Sequence, residues 1–200
     1  MRLLHFFLLF LLIGSARFAQ AQNAAPPVKR PLLLSVFQQS AQLPFSGDMF
    51  VVLHPGLDVG TEFYYNKNPR RQWFQTAKLG VWNHHYVQTG IQLYSEAGYR
   101  HLFWQGLGAE LRIGAGYLHS IPGTEYFELQ NGAYVSKSRF GRPQFMGSAA
   151  AGVSYTLPNS LRFSLDYQFF LQMPFINKYV PMAPGTALHL GLAWPLKTGF

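Results

Sequence analysis

The chain has 200 residues and no cysteine, and carries a formal net charge of +8, with 16% aromatic but only 12% charged residues. Without cysteine there is no disulfide, no cysteine-ligated metal and no lipid-anchor site. Roughly a quarter of an ordinary soluble domain is charged, so this composition departs from that class. The basic balance raises the question of nucleic acid, but there is no basic helix, no interleaved aromatic–basic ribonucleoprotein motif and no cysteine–histidine finger. Nucleic acid is therefore not an expected partner.

Met1-Arg2 gives a short positive start, Leu3 to Ile13 is a nearly unbroken apolar run, and Ala19-Gln20-Ala21 is the best cleavage signal. This is the pattern of an export leader over residues 1–21, with a mature chain starting at Gln22 and forming one domain over 22–200. The run is shorter than the ~20 residues a spanning helix needs, and no long apolar segment follows. Two of the positive charges, Arg2 and Arg17, leave with the leader.

The mature chain alternates at a period of two, the signature of strands. Leu32 to Gln38 is a short first candidate. Gly56 to Tyr65 sets Leu57, Val59, Phe63 and Tyr65 against Asp58, Gly60, Glu62 and Tyr64. In the third, Trp73, Ala77, Leu79 and Val81 oppose Thr76, Lys78 and Gly80. The fourth opposes Val87, Ile91, Leu93, Ala97 and Tyr99 to Gln88, Gly90, Gln92, Glu96, Gly98 and Arg100. The fifth opposes Leu107, Leu111, Ile113 and Tyr117 to Gly106, Gly108, Glu110, Arg112, Gly114 and Gly116. Phe145 to Leu157 is rich in glycine and alanine, and Leu161 to Leu171 opposes a leucine–aromatic face to Arg162, Ser164, Asp166 and Gln168. The last strand places Leu188, Leu190, Leu192, Trp194 and Leu196 on one face and His189, Gly191 and Ala193 on the other.

Eight such segments, with one greasy face and a glycine-, alanine- and charge-bearing opposite face, predict an all-β fold: an antiparallel eight-stranded transmembrane β-barrel with a polar, largely side-chain-filled interior. The connections agree. Asn66 to Arg71, His101 to Phe103 and Pro158 to Ser160 are short, whereas Gln39 to Pro55, His119 to Gln144 and Gln172 to Gly185 are long, the asymmetry expected between periplasmic turns and outer loops. Asn83 to Tyr86 is a short exception on the long side. Pairing Arg100 with Trp104 would put Tyr94 opposite Glu110 and Gln92 opposite Arg112. Pairing Leu157 with Leu161 would put Gly152 opposite Asp166.

The predicted interior holds Asp58, Glu62, Glu96, Glu110 and Asp166 against Lys78, Arg100, Arg112 and Arg162, with His189 able to add charge. Isolated buried charge is costly, so this near balance predicts an interior salt-bridge network. Arg112 is the expected shared cation of Glu96 and Glu110. His54, His84 and His85 invite a metal reading, but adjacent strand residues point to opposite faces, so His84-His85 is a poor chelating pair. No metal and no cofactor is indicated. His119-Ser120, with Glu125 and Glu128 nearby, holds the residue types of nucleophilic hydrolysis. Barrel enzymes that deacylate lipid A carry a His-x-Ser pair on one face; here the two are adjacent, and a continuous strand separates them across the wall. The long loops are rich in aromatics and proline, among them Leu43-Pro44-Phe45 and Met173-Pro174-Phe175, with Lys137, Arg139, Arg142 and Lys178 placed to meet lipopolysaccharide phosphates.

The leader, His54-Pro55-Gly56-Leu57 with Gly60-Thr61-Glu62-Phe63, Gly116 to Ser120, Asn177 to Pro181 and Thr186 to Leu190 together resemble a family of small exported β-barrel proteins of Gram-negative bacteria. That resemblance implies the fold and an outer-membrane location, and no catalytic residues. The C-terminal strand is similar to the signal read by the outer-membrane assembly machinery: Phe200 fits, while Pro195 and Thr198 depart and leave room for a strand ending nearer Leu196. The expectation is a monomeric outer-membrane barrel of structural or surface-interaction type, with lipids and lipopolysaccharide as surroundings. The alternatives are a lipid A-modifying enzyme and a small channel.

Overall fold

The computed structural model describes residues 30–46, 52–84, 88–103, 106–123, 127–130, 133–136, 141–175 and 181–196. The predicted leader, His85, Val87, Trp104, Glu125, Lys137, Arg139, Lys178, Thr198 and Phe200 lie outside these residues. Ten strands follow in chain order: β1 (Pro31–Ser40), β2 (Pro55–Tyr64), β3 (Arg71–His84), β4 (Gln88–Leu102), β5 (Leu107–Pro122), β6 (Phe127–Gln130), β7 (Ala133–Ser136), β8 (Arg142–Thr156), β9 (Arg162–Met173) and β10 (Ala183–Pro195). Eight of them close into one antiparallel barrel in the order β1-β10-β9-β8-β5-β4-β3-β2. Among the described residues β6 and β7 pair with each other, as a hairpin within the long connection between β5 and β8.

The alternation in sequence becomes an alternation in burial of the opposite sense to a soluble protein. Along β4 the buried residues include Gln88, Gln92, Glu96 and Arg100, whereas Ile91, Leu93 and Ala97 between them are exposed. Leu111 and Ile113 on β5 and Leu190 on β10 are 64%, 69% and 60% exposed. Each would gain about 1.5–3 kcal/mol on leaving water. A wall of such residues around a charged interior is stable only with lipid outside, so the barrel is a transmembrane one. At the end bearing the short turns, Trp73, Tyr155, Phe163 and Trp194 stand outward, and Trp73 packs on Tyr99 with ring centroids 4.8 Å apart, giving the aromatic girdle of a membrane interface.

The short first segment is a full strand that pairs with β10 from Pro31↔Pro195 to Ser40↔Thr186 and so closes the barrel. Gly152 faces Asp166 in the β8–β9 hairpin, as expected from its tight turn. The β4–β5 register differs from the expected one: Arg100 faces Glu110, Tyr94 faces Gly116 and Gln92 faces Leu118. β4 runs on to Leu102, and the Phe103 N–H donates to the Leu107 carbonyl at 2.8 Å, with Gly106 at φ +87° in the turn. The turn therefore lies further along the chain than His101–Phe103. Because the shift is an even number of residues, every side chain keeps its face.

The strands are also longer at the loop end than the alternation alone marks. β5 continues through His119 and Ser120 to Pro122, and β10 begins at Ala183. Polar residues there still pair in the ladder, His119 with Pro143 and Ser120 with Arg142. At its other end β10 stops at Pro195, with the Leu196 N–H reaching the Arg30 carbonyl at 3.4 Å.

Candidate functional site

The inward residues fall into three layers. Nearest the long loops is an uncharged polar layer of Gln39, Gln88, Ser120, Gln144 and Gln172, all buried. The Ser120 hydroxyl donates to Gln88, and Gln88 Nε2 donates across the lumen to Gln172 Oε1 at 2.9 Å. Gln144 Nε2 donates to the Pro174 carbonyl at 2.9 Å. His54 and His84 stack at 3.5 Å between ring centroids, and His54 Nδ1 meets the Gln39 carbonyl at 3.2 Å. Stacked rings direct their nitrogens side by side rather than onto one point. Among the described residues no three His, Cys, Asp or Glu side chains are grouped as metal ligands.

Beneath lies an apolar cluster of Phe37, Trp82, Tyr94, Leu118, Met146, Phe170 and Ala187. Sequence alternation passes over it, because an apolar residue reads as lipid-facing unless its parity is followed through the whole strand. The signal that finds it is glycine on the paired strand. Phe37 faces Gly56, Trp82 faces Gly90 and Phe170 faces Gly185, and a Cβ on any of the three glycines would fall within 2.2–2.5 Å of the aromatic ring. Each ring thus lies flat over a glycine, which lets so narrow a barrel hold it.

The third layer, toward the turn end, brings together all ten predicted interior residues. Lys78 Nζ pairs with Glu96 Oε2 at 2.9 Å. Arg100 bridges Glu62 Oε1 at 2.8 Å and Glu110 Oε1 at 2.6 Å, and its guanidinium carbon sits 4.4 Å from the Phe74 ring centroid. Arg112 reaches Glu96 at 3.4 Å, Glu110 at 3.1 Å and Asp166 at 3.1 Å. Arg162 Nη2 meets Glu62 Oε1 at 2.5 Å. Asp58 accepts from Tyr94 Oη at 2.8 Å and Gln92 Nε2 at 3.1 Å. The tyrosine and glutamine therefore serve Asp58 rather than the Glu110 and Arg112 expected from the displaced register.

His189 also faces this network. Its Nδ1 lies 3.3 Å from Asp58 Oδ2 and its Nε2 lies 3.2 Å from Gln168 Oε1. The Gln168 amide nitrogen is already donating to Glu96 at 3.0 Å, so its oxygen must be the atom that faces the ring. Each ring nitrogen thus has an oxygen within 3.3 Å. The five acids share the lumen with Lys78, Arg100, Arg112, Arg162 and the His189 ring. A water-sized cavity of about 30 Å³ remains beside Arg112, Asp166 and His189, walled by Ser35, Ser164 and Gly191.

The His119-Ser120 pair is split by the wall. Ser120 is buried in the lumen, while His119 lies on the outer face with Nδ1 2.8 Å from Tyr117 Oη. The imidazole therefore does not reach the hydroxyl. Glu128 lies on β6 in the loop hairpin and Glu125 falls outside the described residues.

No protein-family model matches the chain. No curated protein matches it either. Solved structures do. Neisserial surface protein A (NspA) is similar over 84% of this chain and 98% of its own, with a TM-score of 0.57 and 11% identity. The outer membrane enzyme PagL is similar over 83% and 99%, with a TM-score of 0.50 and 10% identity. At these identities the likeness is one of fold.

Proposed function

We propose that the protein is an outer-membrane β-barrel of a Gram-negative cell that acts through its surface, as a structural or surface-interaction protein, and not by conduction through its lumen. The observation that carries this reading is the double seal of the interior: an apolar layer from Phe37 to Phe170 above a buried network of ion pairs. A water-filled ion path would need a continuous polar route, and that route is interrupted. The likeness in fold to a surface protein and to an outer membrane enzyme supports the compartment. The leader, the monomeric state and the reading of β10 by the assembly machinery belong to the same proposal, as does contact of Arg142 and the loop cations with lipopolysaccharide phosphates.

Planar-bilayer recording of the purified barrel tests the reading. No unitary current is expected, and steady single-molecule conductance would overturn it. Incubation with lipid A tests the enzymatic alternative in parallel. No deacylated product is expected, and product that disappears in Ser120→Ala would replace the surface reading with the catalytic one.

A further inference from the structure

The connection leaving β1 does not simply rise from the rim. Leu43 to Ser46 form a tight turn, with the Ser46 N–H donating to the Leu43 carbonyl at 3.2 Å and Ser46 Oγ donating to it at 2.7 Å. Phe45, the third residue of this turn after Pro44, has φ +60°. A proline followed by a residue of positive φ is the type II pattern, whose third position ordinarily requires glycine. A bulky phenylalanine there is strained, and such strain persists only where surrounding contacts hold it.

Those contacts lie on the outside of the barrel. The Phe45 ring stacks on Tyr167 of β9 at 5.2 Å between centroids and 17° between planes, and its backbone N–H donates to Tyr167 Oη at 3.3 Å. Tyr167 alternates with the inward Asp166 and Gln168, so it stands on the outer wall, paired with Leu188 and two residues from Leu165. β10 lies between β1 and β9, so the chain crosses β10 to arrive there. Thr186 of β10, opposite Ser40 and outward by alternation, is fully buried. Ser40 pairs with Thr186, Thr186 with Phe169, and Tyr167 lies two residues further from the rim. The turn 43–46 thus lies back against the wall, across the β1–β10 seam that closes the barrel. Even so stacked on Tyr167, Phe45 as a whole remains 89% exposed.

We propose that the turn 43–46 is a strap embedded in lipid, with Phe45 docked on Tyr167 and its free face held against the acyl chains of the leaflet at the loop end. Continuity with the lipid-facing wall of Tyr167, Leu188 and Leu190 selects this occupant. The strap rests on the barrel lying in a bilayer, and the test separates the two claims. The chain has no native cysteine, so a nitroxide can be placed singly at Phe45→Cys, Leu190→Cys and Lys67→Cys in the mature protein refolded in phosphatidylcholine vesicles.

Relaxation by oxygen and by an aqueous nickel complex then reports the medium at each label. Phe45 is expected to match Leu190, oxygen-accessible and nickel-shielded, and to differ from Lys67 in the exposed β2–β3 turn. A lipid-like Leu190 beside an aqueous Phe45 would overturn the strap alone, and an aqueous Leu190 would overturn the bilayer reading itself. A Phe45 label shielded from both reagents would mean that protein covers the ring, and would also overturn the strap. Because the cysteine removes the docking ring, Phe45→Trp supplies a second measurement that keeps an aromatic on Tyr167. Its added emission should be quenched by chain-brominated lipid, and quenching by aqueous acrylamide instead would contradict the proposal.

Discussion

Arg112 touches three carboxylates, Glu96, Glu110 and Asp166, from a side chain that is almost completely buried. Removing one partner of a buried pair strands the other charge, at a cost of ~3–5 kcal/mol. Arg112→Gln should lose about that much refolding stability, and Arg112→Gln with Glu110→Gln should lose less than the single change, because one stranded acid has gone. Full repair is not expected while Glu96 and Asp166 remain charged. Additive losses in the double-mutant cycle would mean that the two groups do not interact. Packing against these charges is equally tight. A Cβ on Gly80 would sit 1.9 Å from Asp58 Oδ1, a carboxylate held from other sides by Tyr94, Gln92 and His189. Gly80→Ala should therefore cost ~1–3 kcal/mol as an overpacked site, measured by urea-dependent refolding into vesicles, and a neutral outcome would show the carboxylate free to move. The identity of the charged interior residues is legible in the sequence, since period and charge are both local. Among their partners, Arg112 between Glu96 and Glu110 is legible too, whereas Tyr94 on Asp58 and Arg100 on Glu62 join strands that only the closed barrel brings face to face.

Among the strands, alternation identifies all eight wall elements but says little about their ends or offsets. A strand pattern has period two, so the β4–β5 pairing could shift by an even number of residues without moving any side chain to the wrong face. Only the turn chemistry fixes the offset, and there the decisive residue is Gly106 with its positive φ. The β6–β7 hairpin passes unnoticed in a long polar connection, although Asn131-Gly132 between the two strands is the strongest two-residue hairpin signal. The faces themselves can be tested. Leu111 stands outward on β5 while its neighbours Glu110 and Arg112 are buried. Near the bilayer midplane Leu111→Arg should impair folding by ~2–4 kcal/mol. Gly108→Ser on the inward face of the same strand should be milder, because the nearest side-chain atom to a new Cβ, at 2.8 Å, is the mobile end of Leu102. Refolding yields in the reverse order at matched depths would reverse the assignment of the two faces.

At the level of the whole molecule, charge is concentrated inside and apolar surface outside, and the two facts require each other. Five acids can be buried with Lys78, Arg100, Arg112, Arg162 and His189 because lipid accepts the outward leucines and aromatics, while Phe37, Trp82, Leu118 and Phe170 fill the lumen beside them. The same division closes the lumen. Among the described residues, the apolar cluster at one level and the ion pairs at the next fill the lumen around a water-sized gap beside Arg112, Asp166 and His189. This inverted arrangement folds only where lipid or detergent can cover the wall. Diluting the mature chain from denaturant into phosphatidylcholine vesicles and into plain buffer probes that requirement. Far-ultraviolet circular dichroism and unheated gel mobility are then compared between the two. Folding in vesicles alone is predicted, with a β-sheet spectrum and a mobility that changes on boiling. A well-folded monomer in plain buffer, or a helical spectrum in either medium, would contradict the account.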